Sequence, residues 1–198
     1  MGRARTAWTT AVVAAALATG PVLAGDAVSG HIEAGQQAYQ KGDAAHAAHE
    51  MEAALLELQG RLGRALARDM PPVPSGWQAE DPEIDGLGAV GGGLSVTRAY
   101  TRADASLNAS IILDSPAVAA AAAPAVGTPD PPNLRRVKVG AEDALLRWDA
   151  TARSGEISVV LANRVLLQIE GDNLPNGDVL VDLARGFDVA AIRQLIGI

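Results

Sequence analysis

Three histidines, His31, His46 and His49, are the side chains of this sequence best suited to ligate a metal or to move a proton near neutral pH. His46, His49 and Glu50 stand at i, i+3 and i+4, a spacing that puts them on one side of a helix within reach of one metal ion. They are weak candidates. Three ligands on a single helix seldom complete a site, and no remote ligand can be picked out. The expectation is therefore a solvated polar face, with no metal and no cofactor assigned.

The remaining chemical strings fare worse. Gly86, Gly88 and Gly91 match a dinucleotide fingerprint by letter. That motif works only between a strand and a helix, where backbone amides meet a pyrophosphate. Here Asp81, Pro82 and Glu83 precede it, while Gly92, Gly93 and a strand-like run follow, so it reads as a flexible loop, a lid or a linker. No serine sits in a nucleophile elbow. Carboxylates are plentiful at predicted turns and strand ends (Asp114, Glu142, Asp143, Asp149, Glu170, Asp172), where acids are ordinarily solvated. Asn108, Ala109 and Ser110 form a glycosylation acceptor by letter only, inside a predicted strand. No catalytic residue is assigned, and no cofactor-binding residue.

Charge and composition narrow the classes further. The 198 residues carry a formal charge of −7, and no basic cluster interrupts it, which argues against nucleic acid and anionic lipid as partners. With no cysteine, thiol chemistry and disulfides are excluded and the fold rests on packing. Beyond residue 24 the aromatics are Tyr39, Trp77, Tyr100, Trp148 and Phe187, too few for a sugar- or base-stacking platform.

The N-terminus reads as an export signal. Arg3 and Arg5 precede an uncharged, largely apolar run over residues 7–18; Gly20 and Pro21 break it, and Val22, Leu23 and Ala24 suit a signal peptidase. The run is too short to span a bilayer, which takes about 20 apolar residues. Cleavage after Ala24 leaves 174 residues and, with Arg3 and Arg5 gone, takes the charge from −7 to −9. The expected address is the periplasm, or release from the cell, with no membrane span in the mature chain.

The elements that must position these side chains follow from periodicity. Residues 29–40 and 44–68 read as two helices split by Gly42 and Asp43, a C-terminal glycine and an N-cap. On the second, Ala48, Met51, Leu55, Leu58, Leu62 and Ala65 recur at steps of three and four. Gly60 and Gly63 cost about 1 kcal/mol each and predict an end or a bend there. The run 34–43, with Ala47, resembles a tetratricopeptide helical hairpin. That resemblance spans residues 34–58, about one repeat of a family that stacks three or more. It implies the helix-turn-helix shape, packed on its own domain or on a partner, and no peptide-binding function.

Prolines and glycines mark residues 70–93 as a linker, with Trp77 pinning it to the body. From Leu94 the period becomes two. Strand-like runs fall at 94–101, 106–113, 134–139, 144–148, 156–161 and 165–170, joined by short turns that force antiparallel neighbours. Ser115 with Pro116 opens a helix that Pro124 stops; Asn176 or Asp178, then Asp188, cap two more. Tyr39, Tyr100 and Trp148 are expected in the core. The predicted class is α+β: a helical hairpin (29–69), a linker (70–93), and a five- or six-stranded antiparallel sheet with helices on one face (94–198).

These features predict a non-catalytic, exported accessory module that binds a protein partner or an envelope component through the hairpin or a sheet edge. The runner-up is a carrier or sensor of a small apolar ligand held between sheet and helices, and a hydrolase with paired carboxylates is third.

Overall fold

The computed structural model describes residues 26–123 and 132–198. The export signal and the proline loop expected from Pro124 lie outside the described residues. Two antiparallel helices come first, α1 (Ala27–Gln40) and α2 (Ala44–Leu66). The turn between them is built as its residue types dictate. Gly42 adopts a φ of 78°, and the Asp43 carboxylate accepts the His46 backbone N–H at 3.1 Å. Small residues line the seam, with Gly35 and Ala38 buried on α1 and Ala47 and Ala54 on α2. At the open end Arg61 pairs with Asp26 and, at 3.2 Å, with Glu57.

The long helix neither ends nor breaks at its glycines. It runs through Gly60 and Gly63 to Leu66, because a methyl of Ile84 fills the space that a Cβ on Gly63 would need. Close packing there offsets the roughly 1 kcal/mol propensity cost of the glycine.

The sheet has eight antiparallel strands rather than five or six. They are β1 (Gln78–Ala79), β2 (Glu83–Gly86), β3 (Leu94–Arg102), β4 (Ala105–Leu113), β5 (Leu134–Val139), β6 (Glu142–Asp149), β7 (Ser154–Leu161) and β8 (Val165–Asp172). The extra two come from within the stretch read as a linker. They escaped the periodicity because β1 is two residues long and Ile84 is the one large apolar side chain of β2. The order is β1-β3-β4-β8-β7-β6-β5, and β2 shares the β3 edge with β1. In this arrangement β4 pairs not with the next strand but with β8.

One sheet face is the core. Val96, Tyr100, Ile111, Ile157, Leu167 and Ile169 on it are all 1% exposed or less. Over it lie the C-terminal turns of α2, α4 (Asp178–Ala184) and α5 (Val189–Ile196), which contribute Leu66, Leu180, Leu183 and Ile192. The Asp188 cap of α5 forms as expected, accepting from the Ala191 N–H at 3.0 Å. The other face carries a cross-strand row, Thr97, Ser110, Gln168 and Ser158, in register over four strands. Thr97 and Ser110 hydroxyls lie 3.0 Å apart on it. The short α3 (Pro116–Ala122), capped by Ser115, packs on β4, β7 and β8, beside Ser158 and Val160.

Candidate functional site

The three histidines are positioned by the hairpin, and the structure gathers two of them on one carboxylate. His31 Nδ1 lies 2.8 Å from Glu50 Oε2, and His46 Nε2 lies 3.7 Å from Glu50 Oε1. The hydrogen bond from His31, more than the charges of the three histidines, holds the Glu50 carboxyl below its usual range. The contact joins α1 to α2, so it fastens the seam. His49 joins neither contact, and His31 hydrogen-bonds no hydroxyl among the described residues. Among those residues no group of three or more His, Asp or Glu is arranged to hold a metal ion.

The candidate carboxylates are dispersed and mostly matched with cations. Asp114 accepts from two Arg164 nitrogens at 2.7 and 2.9 Å, Glu142 takes Arg193 at 3.0 Å, and Asp143 takes Lys138 at 2.7 Å. Asp149 is held below its usual range by the backbone N–H groups of Ala152 and Thr151, the wrong direction for a general acid at neutral pH. Glu170 does face Glu156 across β7 and β8, in a shallow groove of about 420 Å³ that Asp149 and Asp172 border. Arg147 lies 3.5 Å from Glu156, and Gln168 donates to Glu170 at 2.9 Å, so each acid has a partner of its own.

The glycine string closes the β2–β3 hairpin. Gly91, Gly92 and Gly93 adopt φ values of 102°, 100° and 105°, and the Leu87 N–H bonds the Gly93 carbonyl at 2.9 Å. Strands stand on both sides of it and the string holds only a three-residue 3-10 turn (Gly88–Val90), so it opens no α-helix to meet a pyrophosphate.

The unsatisfied surface lies on the hairpin. The apolar row of α2 runs from Met51 through Leu55, Leu58 and Leu62 to Leu66, and its environment changes along the way. Leu66 is 1% exposed and Leu62 packs on the core, whereas Met51, Leu55 and Leu58 are 42, 54 and 47% exposed. The cause is length. Its 23 residues extend about 34 Å at 1.5 Å each, and the sheet reaches only its C-terminal turns, through Ile84 at Gly63 and Gly86 beside Gln59. On α1, Ile32 and Tyr39, seven residues apart and so on one side, are 44 and 75% exposed. Gly35, between them, receives the Met51 side chain, which brings both rows to one face of the hairpin. Tyr39, expected in the core, is thus on the surface, whereas Tyr100 is fully buried. The sequence carried the row from Met51 to Leu62 but ended it on Ala65 rather than Leu66; where its cover stops depends on strand β2, which periodicity did not reveal.

A second concavity, about 390 Å³, lies between sheet and helix at the far end of β3 from the glycine loop. Pro72, Pro74, Trp77, Leu107, Val179 and Leu183 line it. Trp77 does pin its segment to the body, being 8% exposed beneath the Arg102 guanidinium, which lies 4.7 Å from the ring centre. No helix among the described residues is long and apolar enough to cross a membrane. No protein-family model, no curated protein and no solved structure matches the chain.

Proposed function

We propose that the chain is an exported, non-catalytic interaction module whose helical hairpin docks a basic amphipathic helix of a partner protein. One observation carries this reading: the apolar row of α2 continues beyond its own domain and meets Ile32 and Tyr39 of α1 on an uncovered face. An exposed apolar patch of a few hundred Å² commonly marks an interaction site. Ile32, Tyr39, Met51, Leu55 and Leu58 lie along one face of the hairpin, the arrangement that takes an amphipathic helix laid along a groove.

Charge selects the partner. Glu33 and Glu52 are exposed beside the row, the hairpin's lysine sits away at the turn as Lys41, and the chain is net acidic. A second copy would set these glutamates against each other, whereas a helix edged with lysine or arginine would neutralise them. The groove beside Trp77 favours the competing reading, a carrier of a small ligand. Export rests on the basic, then apolar, then small-residue order of residues 3–24.

The test is site-specific photocrosslinking in the producing cell, with the probe placed at Leu55, at Tyr39 and, on the far side of the sheet, at Ser158. Adducts from Leu55 and Tyr39 that map to one basic amphipathic helix of another protein, and are missing from Ser158, support the proposal. Adducts with the chain's own copy or with lipid, equal adducts from Ser158, or none at all, overturn it. N-terminal sequencing checks export: a start at Gly25 supports it, and an intact N-terminus in the cytoplasmic fraction refutes it.

A further inference from the structure

The geometry points to a binding site for a small amphipathic carboxylate, an unbranched apolar chain ending in one carboxylate, in the groove beside Trp77. Several features combine to select that class. The walls are apolar and come from three places, the 72–75 segment, Leu107 of β4, and Val179 and Leu183 of α4. At about 390 Å³ the groove falls within the range of small-molecule sites.

One cation stands at it without an acceptor. Arg102 is exposed and stacks over Trp77, and among the described residues its side chain makes no hydrogen bond and no ion pair. Its donors therefore remain available to a planar carboxylate, the group that a guanidinium fork matches. The other charge at the groove, Asp182, is held by Arg185 at 2.7 Å. That carboxylate disfavours a dianion such as phosphate and leaves a monoanion as the better fit.

The walls also say what the rest of the ligand is. Pro72 and Pro74 have no N–H to donate. Nearby carbonyls are already engaged, Pro71 by the Tyr100 hydroxyl at 2.6 Å and Pro74 by the Trp77 N–H at 3.0 Å. Pro72 and Pro74 take two of the four amide donors from the 72–75 wall, so a peptide laid here would find fewer partners for its own carbonyls than on an ordinary strand edge, a cost an aliphatic chain does not incur. The ligand class is therefore a medium-chain carboxylate rather than a peptide C-terminus.

The experiment is isothermal titration of the full chain with octanoate, with 1-octanol and with N-acetyl-leucine. Octanoate should bind at least about tenfold more tightly than octanol, the range of one charge-assisted hydrogen bond in a partly exposed site. Arg102→Gln, which keeps the side chain over Trp77, should bring octanoate down to the octanol level and leave octanol unchanged. Val179→Phe, which fills the groove, should abolish both while circular dichroism shows the fold intact. Equal binding of octanoate and octanol, no binding of octanoate, or an Arg102→Gln protein that still prefers the carboxylate would each overturn the assignment. Tighter binding of N-acetyl-leucine than of octanoate would also overturn it, in favour of a peptide terminus. None of these readouts involves the hairpin face, so this site stands or falls apart from the partner-binding proposal.

Discussion

Truncating the two ends of one apolar row should have very different costs, because α2 passes from a covered to an uncovered environment. At Leu66, 1% exposed, alanine removes a fully buried side chain and leaves a hole. Changes of this kind cost about 3–5 kcal/mol. At Leu55, just over half exposed, the same three carbons are lost from a site that water already reaches. At about 0.8 kcal/mol per fully buried methylene, half burial makes that loss about 1 kcal/mol, and no cavity forms. The better helix propensity of alanine trims it by a few tenths. Urea unfolding followed by circular dichroism measures both, at two well-separated protein concentrations. The expected result is a difference of at least 2 kcal/mol (an estimate from those two costs) between the variants and a midpoint independent of concentration. If Leu55→Ala costs as much as Leu66→Ala, or if the wild-type midpoint rises with concentration, the row is already covered in solution, and a second copy rather than a foreign helix occupies it.

Three further outcomes test the packing and electrostatics. Tyr100→Phe strands the Pro71 carbonyl, which now accepts the buried hydroxyl at 2.6 Å, and should cost about 1–2 kcal/mol in denaturant unfolding; a cost near zero would mean that water reaches the carbonyl. Ala162 turns between β7 and β8 with a φ of 48°, a left-handed conformation that glycine adopts without strain. Ala162→Gly should therefore raise the unfolding free energy by up to about 1 kcal/mol, and a loss of stability would show that the turn is not strained. The Arg164 guanidinium beside Asp114 holds its carboxyl below the usual range, chiefly by hydrogen bonding. With the folded pKa depressed, the pair contributes above the unfolded value of about 3.9, and that contribution is lost as pH falls through the folded value. Both groups are nearly half exposed, so Asp114→Asn should cost about 0.2–1 kcal/mol at pH 7. The difference from wild type should vanish in acid; one that persists there would not be electrostatic.

What could be read in advance divides along a physical line. Local chemistry was legible: Gly42 with Asp43, Ser115 with Pro116, and Asp188 each formed the turn or cap that their types demand, because such structures are decided within four residues. The alternation from Leu94 onward was legible too, since one face of each long strand is buried. Strands β1 and β2 were not, because they are held by the free edge of β3 rather than by a pattern of their own. The pairing of β4 with β8 was equally invisible, being a choice among strands of similar alternation.

The candidate sites were lost at the same boundary. The histidines read as an i, i+3, i+4 set on one helix, yet the partner that matters to Glu50, His31, comes from the other helix, which local spacing does not describe. Trp77 was visible as an anchor, but not Arg102 above it, because the two meet only after β3 has crossed the sheet. The α2 row makes the point most sharply. Periodicity marks Met51, Leu55, Leu58 and Leu62 as one apolar stripe, and of these only Leu62 packs on the core. Whether anything covers the stripe depends on where Ile84 docks against Gly63. The helix is built to be covered over its whole length, the domain covers one end, and the uncovered end is the strongest physical reason to look for a partner.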